Sequence, residues 1–128
     1  KETIGELQSK DQVVELAGVF YHLGENDMSF HPYRKDAATR LQAIVEQSRK
    51  DLGLPKLKWF VSQQPPTDVE RLNKLDVVGE VAKVAAGDLG LIHLKAFDLP
   101  PQEKRLVIRA DGIVALGELI AKGYLSQK

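Results

Sequence analysis

Apolar and polar positions follow two different periods along this chain, and each change of period predicts a new element. A mostly apolar run over residues 13–21 ends at a polar loop that contains glycine, which is typical of a strand covered on both faces. Two further β-rich runs occupy residues 57–62 and residues 89–94. The pattern therefore predicts three strands. Trp59, Phe60 and His93 are expected to be core or sheet-face residues, although Trp59 could instead face a sugar.

Helical spacing of apolar or small residues follows each predicted strand. The first helix is predicted from about residue 33 to residue 52, with Gly53 and Pro55 marking its end, and the second ends near Gly87. The third begins at Asp111, because Asp commonly caps helix N-termini. The positions expected to be buried are Ala37, Ala38, Leu41, Ile44, Val45, Ser48 and Leu52, then Val78, Val81, Ala82 and Ala85, then Ile113, Leu116, Gly117, Ile120 and Tyr124.

The resulting order β-α-β-α-β-α predicts an α/β fold with a parallel sheet and helices on its faces. Residues 1–128 are expected to form one such domain or the carboxyl-terminal portion of a larger one. A sheet of three strands leaves long edges unpaired. A further strand is therefore expected from the first dozen residues, from a missing N-terminal segment or from a partner chain.

The charge balance excludes several classes of partner. Eighteen Lys and Arg residues balance eighteen Asp and Glu residues, and the two signs are interspersed. This argues against nucleic acid or an anionic membrane surface, which usually recruit a basic patch. The chain has no cysteine and no apolar run near the roughly 20 residues that span a bilayer. We expect a soluble protein, with secretion or a periplasmic location after signal-peptide removal left open.

Candidate chemistry is expected at the carboxyl ends of the strands, where open α/β sheets usually bind ligands. The loops predicted there bring polar groups from distant parts of the sequence to one rim of the sheet. These groups are His22, Glu25, Asn26, Asp27, Gln63 and Gln64.

The loop Gly24-Glu25-Asn26-Asp27 is the strongest candidate site. Gly24 permits a sharp turn, and Asn26 could present its amide to a developing oxyanion while Glu25 or Asp27 holds the loop. The alternative is a simple strand-ending turn, because Gly, Asn and Asp are common turn residues.

The remaining polar candidates also have two interpretations each. Gln63 and Gln64 are either a turn or a pair of hydrogen-bonding groups for a polar ligand. His22 is the most site-like histidine, whereas His31 is an exposed loop residue or a base. A metal centre from His22, Asp27 and His31 is the less favoured alternative, because its spacing matches no tight ligand pattern. We expect no metal and no cofactor.

The block from Gly18 to Asp27, Gly-Val-Phe-Tyr-His-Leu-Gly-Glu-Asn-Asp, resembles the strand-and-loop block of the SGNH (GDSL-like) hydrolases. It is most similar to their sialate O-acetylesterase and acetylxylan-esterase-like branch, which typically has aromatic-His-Gln-Gly-Glu-x-Asp there. The downstream layout is similar too, so the resemblance covers about residues 13–124.

The resemblance implies a three-layer α/β/α fold of flavodoxin-like topology, incomplete in this chain at the N-terminal side. It implies Ser-based hydrolysis of an acetylated carbohydrate or another small ester. By position, Gly24 and Asn26 would form the oxyanion hole. The residues that would contact substrate are His22, Glu25, Asp27, Gln63 and Gln64.

The chain departs from the family pattern at the groups that perform catalysis. No Gly-x-Ser precedes the first predicted strand, Leu23 replaces the usual Gln, and no histidine follows His93 where the family has Asp-x-x-His. A serine without a neighbouring base is a poor nucleophile, so the chain alone is expected to be inactive. The alternative is a non-catalytic glycan-binding or protein-interaction module. A phosphate- or nucleotide-binding domain has less support, because no glycine-rich cradle is present.

Overall fold

The computed structural model describes residues 5–7, 9–10, 13–23, 31–64, 76–99 and 108–127. Strands and helices alternate along these segments as the sequence predicts. The elements are β1 (Val19–Leu23), α1 (His31–Leu52), β2 (Trp59–Gln63), α2 (Val77–Ala86), β3 (Leu91–Lys95) and α3 (Ala110–Leu125). This order confirms the α/β fold class.

The three strands form one parallel sheet in the order β1-β2-β3. Val19 of β1 is aligned with Trp59 of β2, and Trp59 is aligned with Leu91 of β3. All five residues of β2 are buried, because this strand is paired on both edges and covered on both faces. The expected core positions of Trp59 and Phe60 are thereby confirmed, with Trp59 only 5 % exposed and unable to face a sugar.

The first strand differs from its prediction in both position and burial. It begins at Val19 rather than at residue 13, and Val13 and Leu16 are exposed. The ladder can begin only where β2 offers a partner, and the Val19 amide donates to the carbonyl oxygen of Lys58, just before β2. Phe20 is 48 % exposed, so the prediction of a strand covered on both faces is wrong.

Helices cover the two faces of the sheet and give the three layers. On one face, Leu41 and Val45 of α1 and Val81 of α2 join Trp59 and Val61 in the main core. On the other face, the aromatic rings of Phe20 and Phe60 stack with centroids 5.1 Å apart, and the ring of Tyr124 in α3 meets the Phe60 ring edge-on at 5.7 Å. Alternate residues of each strand therefore contribute to different layers.

The end of α1 is a Schellman motif built on Gly53. This residue has a φ of 70°, and the amides of Gly53 and Leu54 donate to the carbonyl oxygens of Lys50 and Arg49 at 3.2 and 2.9 Å. Glycine adopts this left-handed conformation without a steric penalty, which confirms the predicted helix stop. No helix in the described segments combines the length and the apolar character that crossing a membrane would require.

Three details of the predicted helix faces are wrong. Ile44 and Ile113 are 50 % and 59 % exposed, and Gly117 is also exposed. The faces that meet the sheet are narrower than the apolar stripe of the sequence. In α3 the buried positions are Gly112, Leu116 and Gly123.

The start of α3 also differs from its prediction. The helix begins at Ala110, and Arg109 is the N-cap residue without a side-chain cap. Asp111 is in the first turn, where its carboxylate accepts a hydrogen bond from the Gly112 amide at 3.0 Å. A negative charge there is favourable because it interacts with the exposed amides of the helix N-terminus.

Candidate functional site

A cluster of polar side chains lies at the carboxyl ends of β1 and β2, on the face covered by α3. His22 and Ser62 are aligned neighbours in the sheet, with His22 Nδ1 2.8 Å from Ser62 Oγ. The side chain of Gln64, only 3 % exposed, is also hydrogen-bonded to His22. We call these three residues the rim triad. The hydrogen bond between His22 and Gln64 shows that these two side chains lie together at one rim, as the sequence predicts.

The environment of His22 favours its neutral imidazole. Desolvation by burial lowers the pKa of His22, and the hydrogen bond with Gln64 offsets part of that decrease. A neutral imidazole has one nitrogen that donates and one that accepts a hydrogen bond. His22 can therefore accept a proton or a hydroxyl hydrogen bond at neutral pH.

Gln63 belongs to the opposite face of the sheet. Its side chain is fully buried, and Oε1 lies 2.6 Å from His93 Nε2. Adjacent residues of a strand point to opposite faces, so Gln63 and Gln64 cannot share one rim. Both are hydrogen-bonding groups and not a turn, because Gln63 ends β2 and Gln64 is buried beside it.

His93 is a half-buried sheet residue on β3, as the sequence predicts. Burial lowers its pKa, and the positive charge of Lys95 lowers it further. Its contact with Gln63 places it beneath α1 and α2 and away from the rim triad. It therefore does not supply the base that the family pattern has near the end of the chain.

The predicted oxyanion segment, Gly24 to Asp27, lies outside the described residues, so the roles of Gly24, Glu25, Asn26 and Asp27 stay predictions. His31 is the first residue of α1 and not part of a loop, but its side chain is also outside the described part. Leu23, which replaces the usual Gln, is 2 % exposed and belongs to the main core. At this position the chain has a packing residue instead of a polar group.

The sequence interpretation missed two buried polar residues, Ser62 near the end of β2 and Arg34 near the start of α1. Ser62 is fully buried, and Arg34 in the first turns of α1 is 2 % exposed. Burial lowers the pKa of the Arg34 guanidinium, and the charge of Asp76 acts against that decrease. A small polar residue in an apolar strand was the available signal for Ser62. Arg34 had none, because it stands among charged neighbours in the sequence.

A comparison with protein families shows which family this chain belongs to. A sequence model described as carbohydrate esterase, sialic acid-specific acetylesterase, matches residues 1–126. The chain belongs to this acetylesterase family. The finding agrees with the resemblance of the block from Gly18 to Asp27.

A solved structure shares the fold of this acetylesterase-family chain. It is the X-ray structure, at 1.6 Å resolution, of a protein from Arabidopsis thaliana, with a TM-score of 0.66 and 20 % sequence identity. The match covers 97 % of the present chain and 49 % of the Arabidopsis chain, so the present chain spans about half the length of that structure. At this identity the likeness shows the fold alone. No curated protein sequence matches the chain.

The rim triad of this acetylesterase-family chain contains groups whose chemistry suits a polar ligand. It offers an imidazole and a primary amide, groups that pair well with sugar hydroxyls and acetyl carbonyls. Within the described segments, no group of three or more His, Cys, Asp or Glu side chains could hold a metal ion. The alternative set of His22, Asp27 and His31 includes side chains outside those segments.

The half-buried histidines predict how stability depends on pH. Burial lowers the pKa values of His22 and His93 below the ordinary 6.5, so the unfolded chain takes up these protons first as the pH falls. Their contribution is complete above pH 6.5 and is lost progressively below it. We expect the free energy of unfolding, measured with urea, to fall between pH 8 and pH 5. The decrease should be smaller in the His93→Gln variant. An equal decrease in the variant and in the unmodified protein would show that His93 does not contribute to it.

Proposed function

We propose that this protein forms the oxyanion and substrate-contacting side of a site that binds acetylated carbohydrate, in the manner of a carbohydrate O-acetylesterase. The observation that carries the proposal is the rim triad, a half-buried histidine bonded to two buried polar side chains, at the carboxyl ends of two adjacent parallel strands. Open α/β sheets bind ligands at that place. Membership of the acetylesterase family supports an acetylated sugar as the ligand class.

In this proposal the residues have separate roles. Asn26 and the Gly24 amide donate to the carbonyl oxygen of the acetyl group, where negative charge develops during acyl transfer. Glu25 and Asp27 accept hydrogen bonds from sugar hydroxyls or hold the loop. His22 and Gln64 contact the ligand from the strand ends. Gln63 is left out, because its side chain bonds to His93 on the opposite face.

The nucleophile of a full esterase must come from outside the rim triad, and its base is not His93. Ser62 is fully buried, and His93 lies on the other face of the sheet. In the described part of the chain, β1 is paired with β2 alone. We propose that a further strand, from an N-terminal segment or a partner chain, pairs with the other edge of β1 and brings a serine to the rim.

Calorimetric titration tests the ligand class directly. An O-acetylated oligosaccharide should bind, and the same oligosaccharide after removal of its acetyl groups should bind more weakly. Gln64→Leu should weaken binding of the acetylated sugar about tenfold, because a buried partner of the ligand or of His22 is lost. The control Gln47→Leu changes an exposed glutamine of α1 that bonds to Asp51, and it should bind like the unmodified protein. Equal heats for both sugars would contradict the proposal.

The same samples decide whether the chain alone is a catalyst. We expect no acetate release from the acetylated oligosaccharide or from a chromogenic acetate ester, because the described site has no accessible serine beside a base. Turnover that Asn26→Ala abolishes would show that this expectation is wrong and that the chain is itself an esterase.

The second candidate function is a non-catalytic glycan-binding or protein-contact module. The absence of any histidine after His93 in the sequence favours it, since the family places its base there. The two functions differ in the complete protein. Binding of the acetylated sugar without any hydrolysis by the full-length protein would favour the module, and hydrolysis would favour the esterase.

A further inference from the structure

Ser62 places a buried hydroxyl group between the candidate site and the backbone of β1. Its Oγ lies 2.8 Å from His22 Nδ1 and 3.4 Å from the carbonyl oxygen of Tyr21. The side chain is fully buried on the central strand of the sheet. Ser62 therefore cannot touch a ligand, but it contacts the one imidazole of the rim triad.

The hydrogen count of this arrangement determines the direction of both hydrogen bonds. A serine hydroxyl has one hydrogen to donate and lone pairs to accept with, whereas a backbone carbonyl can only accept. The Ser62 hydroxyl donates to the Tyr21 carbonyl oxygen. Its lone pair is then the partner of His22 Nδ1, so Nδ1 must carry the hydrogen and donate to Ser62. The other ring nitrogen, Nε2, is then unprotonated and has one lone pair. With Nδ1 on Ser62, the amide N–H of Gln64 is the donor to this lone pair, and a ligand hydroxyl can bind Nε2 only in place of that amide.

We propose that Ser62 is a positioning residue that holds His22 as the Nδ1–H tautomer, so that Nε2 can accept a hydrogen bond from a hydroxyl group of the bound carbohydrate in place of the Gln64 amide. The second half of this statement rests on the proposed function. The first half concerns the protein without ligand and can be tested by itself.

The position of Ser62 in the sheet explains why it can hold this tautomer. His22 and Ser62 are aligned across β1 and β2, and Ser62 is aligned with Leu94 on β3. Leu94 in turn lies against α3, because a Cβ built on Gly123 would meet its side chain at 2.8 Å. The hydroxyl is thus confined between an imidazole and an apolar side chain. The hydrogen of the Ser62 hydroxyl bonds to the Tyr21 carbonyl oxygen. A lone pair of the same hydroxyl therefore stays available to accept from the Nδ1–H of His22.

Nitrogen-15 NMR of the histidine ring tests the tautomer. At pH 8 the imidazole is neutral, and two-bond and three-bond proton–nitrogen correlations distinguish a protonated from an unprotonated ring nitrogen. In the unmodified protein we expect Nδ1 to be the protonated nitrogen of His22 and Nε2 the unprotonated one. A predominantly Nε2–H form would overturn the inference, whatever the protein binds.

Substitution at Ser62 tests whether its hydroxyl group determines the tautomer of His22. In Ser62→Ala the ratio of the Nδ1–H to the Nε2–H form should fall about fivefold, the change that one net hydrogen bond produces. Ser62→Thr retains the hydroxyl and should restore the ratio. Ser48→Ala is the matched control, because it removes a hydroxyl that bonds to Trp59 Nε1 and to the Val45 carbonyl oxygen, away from His22. An unchanged ratio in folded Ser62→Ala would overturn the role of Ser62.

Calorimetry with the O-acetylated oligosaccharide tests the consequence for binding. Ser62→Ala should weaken binding about fivefold, and Ser62→Thr and Ser48→Ala should not. If the tautomer ratio changes in Ser62→Ala but the affinity does not, Nε2 is not a ligand contact and the second half of the inference is wrong. If the unmodified protein shows the Nδ1–H form but binds no acetylated sugar, the proposed function fails while the role of Ser62 stands.

Discussion

Phe60→Ala should reduce the free energy of unfolding by about 3–5 kcal/mol, the usual cost of removing a fully buried phenylalanine. Phe60 has no exposed surface and lies in the central strand, where its ring stacks on Phe20 and meets Tyr124 of α3. Alanine would leave a cavity between the sheet and α3. The cost is large because the surrounding strand is paired on both sides and cannot collapse into the space. Urea unfolding followed by circular dichroism measures it.

Phe97→Ala is the control for that experiment. Phe97 follows β3 and is 38 % exposed, so its removal should cost less than about 1.5 kcal/mol. Similar losses in the two variants would show that the layer between the sheet and α3 contributes no more to stability than the exposed surface. The packing described for Phe60 would then be wrong.

Arg49→Met should reduce the free energy of unfolding by about 2–3 kcal/mol, because it removes two charged hydrogen bonds while keeping most of the side-chain volume. Arg49 is 13 % exposed and forms an ion pair with Asp88, and its Nε donates to the Leu57 carbonyl oxygen at 3.0 Å. Asp88 also accepts from the Gly90 amide at 2.9 Å. One side chain thus links the end of α1 to the start of β2 and to the turn before β3.

The matched control for Arg49 is the exposed ion pair between Lys83 and Glu80 of α2. Its side chains are 75 % and 56 % exposed, so Lys83→Met should cost less than about 0.5 kcal/mol. Urea unfolding at pH 7 compares the two variants. Equal costs would mean that the partly buried pair is no stronger than a solvated one.

The pH dependence of the Arg49→Met effect identifies the contribution of Asp88. Burial acts to raise the pKa of Asp88, but hydrogen bonds from Arg49 and the Gly90 amide outweigh it and leave the pKa below the ordinary 3.8. A carboxyl group with a lowered native pKa stabilises the fold above its unfolded pKa, and this is lost as the pH falls through the native pKa. The difference between Arg49→Met and the unmodified protein should therefore shrink below pH 3.8. A constant difference would contradict the ion-pair origin.

The same sheet that carries the stability also orients the candidate site. The face of the sheet that packs Phe20 and Phe60 against α3 also carries the side chains of His22, Ser62 and Gln64. The opposite face carries the side chains of Gln63 and His93, beneath α1 and α2. A shift of one residue in the pairing of β1 and β2 would separate His22 from Ser62. Packing of the aromatic layer and formation of the rim triad are therefore coupled.

Local sequence signals determined most of the elements and the family. The order of strands and helices, the stop of α1 at Gly53 and the burial of Trp59 and Phe60 follow from periodicity, composition and turn chemistry, which act over a few residues. The motif from Gly18 to Asp27 likewise predicted the acetylesterase family, because it consists of adjacent residues and does not depend on how distant parts of the chain pack.

Strand pairing and the packing of helices on the sheet decided the structural features that the local sequence pattern could not predict. The start of β1 at Val19 depends on where β2 offers a partner, and the exposure of Ile44 and Ile113 depends on which helix face reaches the sheet. The two adjacent glutamines differ for the same reason, because the pleat directs one to His22 and the other to His93. Forty residues separate His22 from Ser62 in the chain, and only the parallel register of β1 and β2 brings the imidazole and the hydroxyl together.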